Sequence, residues 1–251
     1  MLEATGLTKR YGGTLVLHPL TLRVEPGRTL AVIGPSGSGK STLLRLLAGL
    51  DAPSAGGVRF GGQALGPGAP AALRRNLGYV VQGGGLFPHL TAGANVEVVA
   101  RHLGWPAARR QERMDALARL VRLEADALGR YPVQLSGGQA QRVSLMRALM
   151  LEPEALLLDE PLGALDPITR HELQTDLRDV FARVGKAVVL VTHDLAEAVF
   201  FADRVLLLRD GRVAQDGPPA ELLERPADDF VRRFVSAQRS PLEALARGGP
   251  R

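Results

Sequence analysis

Residues 28–50 read "RTLAVIGPSGSGKSTLLRLLAGL". A compact apolar run ends in glycine, a glycine-rich loop follows, and leucines then recur at helical spacing up to Gly49, a plausible C-cap. Within this stretch "GPSGSGKS" (34–41) fits the spacing G-x-x-x-x-G-K-[ST]. The succession of buried strand, glycine loop and helix constrains the chain more than any other feature. Gly34, Gly37 and Gly39 let backbone N–H groups curl around phosphate oxygens without Cβ clashes, with Pro35, Ser36 and Ser38 completing the loop. The helix N-terminus at Lys40, Ser41 and Thr42 adds positive potential. Lys40 would reach the β and γ phosphates of a nucleotide, and the Ser41 hydroxyl would ligate Mg²⁺. The plain alternative, a Gly/Ser-rich turn that happens to precede a helix, is outweighed by the full match and its flanking elements.

Such a loop binds nucleotide but does not by itself hydrolyse it. "ALLLDE" (155–160) supplies the missing groups, because adjacent residues at a strand end point their side chains different ways. Asp159 is assigned to the metal and Glu160 to the attacking water, as general base or orienting group. Alone, the pair could equally be a solvated strand cap. His193 follows the apolar strand "AVVLV", on the edge where α/β sheets bind ligands, and could donate to a γ-phosphate. Gln82, after "GYVV", has the same placement and could reach Mg²⁺ or the water. Tyr11 could stack on adenine or simply pack on the surface.

Around these residues the pattern is α/β. Short strands occupy 2–24, residues 51–70 read as loops with one short strand around "GVRF", and "LGYVVQ" is a further strand. From about 86 to 150 the spacing is helical, as in "AARRQERMDALARLVRL" (107–123). Then "ALLLDE", a helix over 168–184, "AVVLVTHD", the helix "LAEAVFFAD" and the strand "RVLLLRDGRV" alternate. Runs such as "LLL" and "VVLV" without alternation indicate strands buried on both faces of a parallel sheet. The tail 219–251 is helical at first and then rich in Gly, Pro and Arg, so a frayed end is expected there.

The helical insertion contains "LSGGQ" (135–139), where Ser136 is a good N-cap and Gly137 and Gly138 leave backbone N–H groups open. One chain thus carries two phosphate sites. A glycine loop wraps its phosphates from one side, so the open side of the γ-phosphate is best closed by a second body. Sequence separation alone does not forbid one ATP from touching both sites, but a symmetric head-to-tail pair, in which each chain's "LSGGQ" caps the other's ATP, would meet that need.

In combination and in order, Tyr11, "GPSGSGKST", Gln82, "LSGGQ", "LLLDEP", "GALD" (163–166) and His193 resemble the ATPase subunit of an ABC transporter over nearly the whole chain. The resemblance implies a P-loop NTPase (RecA-like) α/β core with a parallel sheet, a small antiparallel β-subdomain and an inserted helical subdomain. One such domain would fill 1–251, with core at about 1–85 and 151–218, helical subdomain at about 86–150 and helical tail at 219–251. It implies ATP and Mg²⁺ as cofactors, with phosphate contacts at 34–42 and at Ser136, Gly137, Gly138 and Gln139. Glu160, His193 and Gln82 would be catalytic, Ser41, Gln82 and Asp159 would hold the metal, and Asp166 would lie at an ATP-sandwich dimer interface. The implied partners are a second copy, membrane permease subunits that sense Gln82 and the helical insertion, and indirectly a substrate-binding protein. The expected location is the cytoplasmic face of the cell membrane, through the permease.

A separate chain without a fused membrane segment resembles bacterial importers. "GLFPHLT" (85–91), "LGALDPITR" (162–170), "VTHDLAEAVFFADR" (191–204) and "RPADDFVRRFV" resemble the osmoprotectant group, which imports glycine betaine, choline and carnitine. Relatives serving methionine, taurine, nitrate or polyamines differ little in these regions. Two departures stand out. Some osmoprotectant ATPases carry a C-terminal module sensing ionic strength, which is not expected in a chain of 251 residues. "QGGGLF" places three glycines directly after Gln82, predicting a loop that is more mobile without nucleotide.

Composition narrows the classes further. Without cysteine there is no disulfide framework or thiolate chemistry. The N-terminus lacks an apolar h-region and no apolar run approaches membrane-spanning length, so a cytosolic chain is expected. A pI near 10.2 invites a nucleic-acid reading. However, the 31 basic residues include only three lysines (Lys9, Lys40, Lys186), are scattered, and accompany just 4% aromatics. Nucleic-acid surfaces cluster charge with stacking aromatics, so no nucleic-acid partner is expected. A soluble ABC ATPase acting on nucleic acid would also be expected to carry a second cassette or a long insert. The single tryptophan and few other aromatics show no cage for a quaternary amine, so the transported compound is expected to be recognised by other subunits.

Overall fold

The computed structural model describes residues 1–163 and 165–238; Ala164 and the expected frayed end at 239–251 lie outside the described residues. The chain opens with a hairpin of β1 (Leu2–Tyr11) and β2 (Thr14–Val24), turning at Gly12 and Gly13. β4 (Ala55–Phe60) and β5 (Gln63–Leu65) join it in an antiparallel sheet of order β2-β1-β4-β5. Residues 51–70, expected to hold one short strand, therefore hold two, because Gly61 and Gly62 both adopt positive φ and close a hairpin.

The larger sheet contains β3 (Thr29–Ile33), β6 (Leu77–Val80), β7 (Ala155–Asp159), β8 (Ala187–Val191), β9 (Arg204–Arg209) and β10 (Arg212–Gly217). Its order is β10-β9-β3-β8-β7-β6, and every pair is parallel except β10 with β9. "RVLLLRDGRV", expected as one strand, reverses at Asp210 and Gly211, whose φ values of 50° and 73° suit a two-residue hairpin turn.

β3, β7 and β8 are buried along their whole length. Leu157 and Val189 face the cluster under α1 (Lys40–Leu47), while Leu156, Leu158 and Leu190 face a second cluster. Both faces are covered, which is why these strands show no alternation in sequence. The second cluster is closed by α3 (Ala92–His102), α4 (Ala107–Leu120), α5 (Gly137–Leu149) and α6 (Pro167–Val184), preceded by the short α2 (Ala71–Arg75). A third cluster joins β3 and β9 to α7 (Leu195–Phe201), α8 (Pro219–Glu224) and α9 (Asp229–Gln238). Among the described residues no helix is long and apolar enough to cross a membrane.

Candidate phosphate-binding and hydrolytic site

Four neighbouring strands, β3, β8, β7 and β6, end on one edge of the large sheet. The glycine loop follows β3, His193 follows β8, Asp159 and Glu160 close β7, and Gln82 follows β6. Residues far apart in sequence thus meet at the carboxyl edge, where open α/β sheets bind ligands. Glu160 leaves its strand with φ 46°, a left-handed backbone costing a non-glycine residue about 1–2 kcal/mol. Its N–H donates to the Val191 carbonyl at 2.9 Å, holding it against β8. Its carboxylate sits between two partners: Gln82 Nε2 donates to Oε2 at 3.0 Å, and His193 Nδ1 lies 3.4 Å from Oε1. The His193 side chain keeps 59% of its surface exposed, so the ring remains accessible.

In the loop, Gly34, Gly37 and Gly39 have φ of 148°, 78° and 99°. A Cβ on Gly34 would come within 2.2 Å of the Leu208 carbonyl oxygen, so that position admits no side chain. The buried Lys40 Nζ donates to the carbonyls of Gly34 and Pro35, both at 2.8 Å. Burial pulls its pKa down, against the opposing pull of Glu160 and Asp159. Asp159 is buried, and that burial, with Glu160 next, pushes its carboxyl up, against Lys40 and the Ser41 hydroxyl.

Two buried oxygens here, Ser38 Oγ and Asp159 Oδ1, have no hydrogen-bond partner. The unpartnered oxygen of Asp159, a carboxylate within the influence of the Ser41 hydroxyl, is the donor chemistry of a Mg²⁺ site, in which substrate oxygens and water complete the shell. The loop opens on a cavity of about 310 Å³ lined by residues that include Ser36, Gly37, Lys40, Ser41, Gln82 and Glu160. The residues therefore fit a magnesium-bound polyphosphate.

Tyr11 ends β1 at the rim, 43% exposed, and does not line that cavity. Its hydroxyl donates to Asp51, a bond that raises its pKa, with Thr42 pulling the other way. Lys9 bonds Asp51 at 2.5 Å and holds its ammonium 4.6 Å from the Tyr11 ring centroid.

Ser136 caps α5: its Oγ accepts from Gln139 N–H at 3.2 Å, and Gln139 Oε1 accepts from Ser136 N–H at 3.0 Å. Gly138 is small for a packing reason as well, since a Cβ there would meet Thr169 Cγ2 of α6 at 2.7 Å. Asp166 caps α6, its Oδ1 accepting from Ile168 and Thr169 N–H at 3.1 Å each. None of Ser136, Gly137, Gly138, Gln139 or Asp166 lines the cavity of the same chain.

Two of the three glycines after Gln82, Gly84 and Gly85, accept hydrogen bonds from α5. Ser144 Oγ donates to the Gly84 carbonyl at 3.0 Å, and Arg147 donates to the carbonyls of Gly84 and Gly85 at 2.7 and 2.8 Å. All three glycines have positive φ, and a Cβ on Gly85 would meet Val81 Cγ2 at 2.4 Å. Ser144 and Arg147 stand three apart on one helix face, which is legible in sequence. Their partners, some 60 positions away, are not. Asp176 was likewise invisible: buried in α6, it pairs with Arg122 and, at 2.7 Å, with Arg142 of α5.

The ABC transporter family model matches residues 17–163. The choline transport ATP-binding protein OpuBA of Bacillus subtilis is 42% identical over 240 residues, covering 95% of this chain and 63% of that protein. The chain therefore spans less than two thirds of that relative's length. The Fe(3+) ions import ATP-binding protein FbpC 2 of Rhodococcus jostii is 46% identical over 236 residues, covering 93% of this chain and 67% of that one. Among solved structures, the dimeric post-hydrolysis state of the ATP-binding cassette MJ0796 bound to ADP and Pi aligns with a TM-score of 0.77. It is 34% identical and covers 87% of this chain and 99% of that one. The two sheets and their helices are thus the cassette fold that the motifs implied. With a family match across more than half of its length and relatives of this identity, the chain belongs to the ABC transporter family.

Proposed function

We propose that this chain binds and hydrolyses ATP with Mg²⁺ and thereby energises a membrane importer. The observation that carries the reading is the meeting of Gln82, Glu160 and His193 beside the glycine loop, on the ends of adjacent strands. Backbone N–H groups of 34–42 and Lys40 hold the phosphates. Ser41, Asp159 and Gln82 would hold Mg²⁺, which when bound would neutralise phosphate charge. Glu160 orients the water and takes its proton, while Gln82 and His193 fix the Glu160 carboxylate and the exposed His193 ring faces the γ-phosphate.

Ser136, Gly137, Gly138 and Gln139 act on the ATP of a second copy, with Asp166 at the interface. This agrees with their absence from the cavity lining of their own chain, and with the dimeric state of the aligned cassette. Tyr11 contributes a rim for the adenine. Permease subunits dock on the helical insertion near Gln82, which locates the chain on the cytoplasmic membrane face; a substrate-binding protein acts upstream.

The imported class is quaternary-amine osmoprotectants, as the choline-transport relative suggests. Recognition of the amine lies with other subunits, since one face of Trp105, the single tryptophan, already stacks on Arg109 with the guanidinium carbon 3.6 Å from the ring centroid. The iron-import relative, at 46% identity, favours a second reading in which the cargo is ferric iron.

The test is uptake of labelled glycine betaine, choline and ferric iron in cells lacking the gene, complemented with wild type or Glu160→Gln. Restoration of betaine or choline uptake by wild type alone supports the reading. Restoration of iron uptake alone replaces the cargo, and equal restoration by both forms removes hydrolysis from the mechanism.

A further inference from the structure

His193 stands on a short loop between β8 and α7, and that loop is gripped from several sides. Thr192 Oγ1 donates to the buried Glu197 Oε2 at 2.7 Å and accepts from Asp194 N–H at 3.1 Å. Asp194 Oδ1 caps α7 by accepting from the N–H groups of Ala196 and Glu197, and its Oδ2 lies 3.4 Å from Arg170 of α6. The remaining grip comes from the last described turn of the chain. Gln238 Nε2 donates to the His193 carbonyl at 2.8 Å, while Gln238 Oε1 accepts from Leu195 N–H at 3.1 Å.

One side-chain amide thus bridges the backbone on both sides of Asp194. Leu195 N–H is the first donor of α7, a group that no intrahelical carbonyl can satisfy. Asp194 serves the next two donors, so a residue from another helix completes the cap. The supporting helix is itself anchored: Val231 and Val235 of α9 are buried in the cluster that contains Leu195 and Ala198 of α7. α9 therefore packs on α7 through its apolar face and reaches over the helix start with its last polar residue. The His193 ring, at the other end of the same residue, meets Glu160.

We infer that Gln238 is a positioning residue: by bonding the His193 carbonyl and the Leu195 N–H together, it makes helix α9 part of the apparatus that aims the His193 ring at Glu160. The inference rests on the proposed ATP hydrolysis for its functional consequence, but not for its geometry. A ring held by one backbone hinge is sensitive to small shifts, and misplacement of an aligned group by about 1 Å can cost as much as 10²-fold in rate.

The experiment compares full-length wild type, Gln238→Ala and Gln238→Glu. Alanine removes both bonds. Glutamate keeps an acceptor for Leu195 N–H and adds favourable charge at the α7 N-terminus, but has no donor for His193. Both variants should lower kcat for ATP by about tenfold with KM within about twofold, and Gln238→Glu should melt at or above the wild-type temperature. Loss of activity without loss of stability is what a merely structural contact would not produce. Amide hydrogen exchange over 192–195 reads the same grip without turnover and should quicken in Gln238→Ala. If the wild type hydrolyses ATP and Gln238→Glu matches its kcat, the inference fails while the proposed function stands. Exchange unchanged over 192–195 in Gln238→Ala overturns it even in a preparation that does not turn over ATP.

Discussion

Gln82 Nε2 donates to Glu160 Oε2 at 3.0 Å, joining the ends of β6 and β7 across 78 positions of sequence. Gln82 begins the loop that Ser144 and Arg147 fasten to α5, and Ser136 caps the start of α5. The carboxylate assigned to the water is therefore connected by hydrogen bonds to the helix whose start is assigned to a second copy's ATP.

Glu160→Gln should retain ATP binding and lower hydrolysis by about 100-fold or more, the scale of losing a general base. ATP with Mg²⁺ should then accumulate a dimer, measured by light scattering after size exclusion. A mutant that binds ATP yet stays monomeric would contradict the assignment of Ser136–Gln139 to the partner's nucleotide.

Lys40→Ala removes the ammonium that now donates to the carbonyls of Gly34 and Pro35. A charge-assisted contact to phosphate contributes about 1.5–3 kcal/mol, so ATP affinity should fall by about 10- to 150-fold in calorimetry. Unchanged affinity would argue that the phosphates sit elsewhere.

Ser136→Arg disrupts the cap of α5 and adds bulk at the surface assigned to the second copy. Hydrolysis should fall to background while ATP binding by the monomer, followed by fluorescent analogue titration, stays within about twofold. Loss of monomer binding would mean that this motif serves its own chain's nucleotide.

Glu197 supplies a pH test. Burial raises its pKa, partly offset by the Thr192 hydroxyl, with Asp194 adding repulsion and Arg170 and His193 attraction. The folded protein holds this proton more tightly than the unfolded chain, so Glu197's contribution to stability decreases as pH rises through its raised pKa. Glu197→Gln keeps an acceptor for Thr192 and removes the buried charge. It should raise Tm at neutral pH by about 2–4 °C, the response of a domain this size to ~1 kcal/mol. The advantage over wild type should fade as pH falls through the raised pKa towards the ordinary value of 4.5. An advantage independent of pH would place its origin in packing rather than in charge.

What the sequence determined by itself is local. A glycine loop between an apolar strand and a helix can be recognised because its geometry depends on neighbours in the chain: glycines at positive φ, a lysine and a serine at the helix start. The same is true of the cap of α5 by Ser136 and of the doubly buried runs "LLLD" and "VVLV". The strand and turn count around 51–70 and 204–217 was less legible, since short Gly-Gly and Asp-Gly hairpins hide among loop-like residues.

Only the tertiary structure decided which distant groups touch. The order β3-β8-β7-β6 brings Gln82, Glu160 and His193 to one edge. Packing of α5 on the following loop set Ser144 and Arg147 against the carbonyls of Gly84 and Gly85. Docking of α9 on α7 set Gln238 against the His193 backbone. These contacts depend on strand order and on the packing of remote apolar faces, and no pattern within a window of neighbouring residues encodes either.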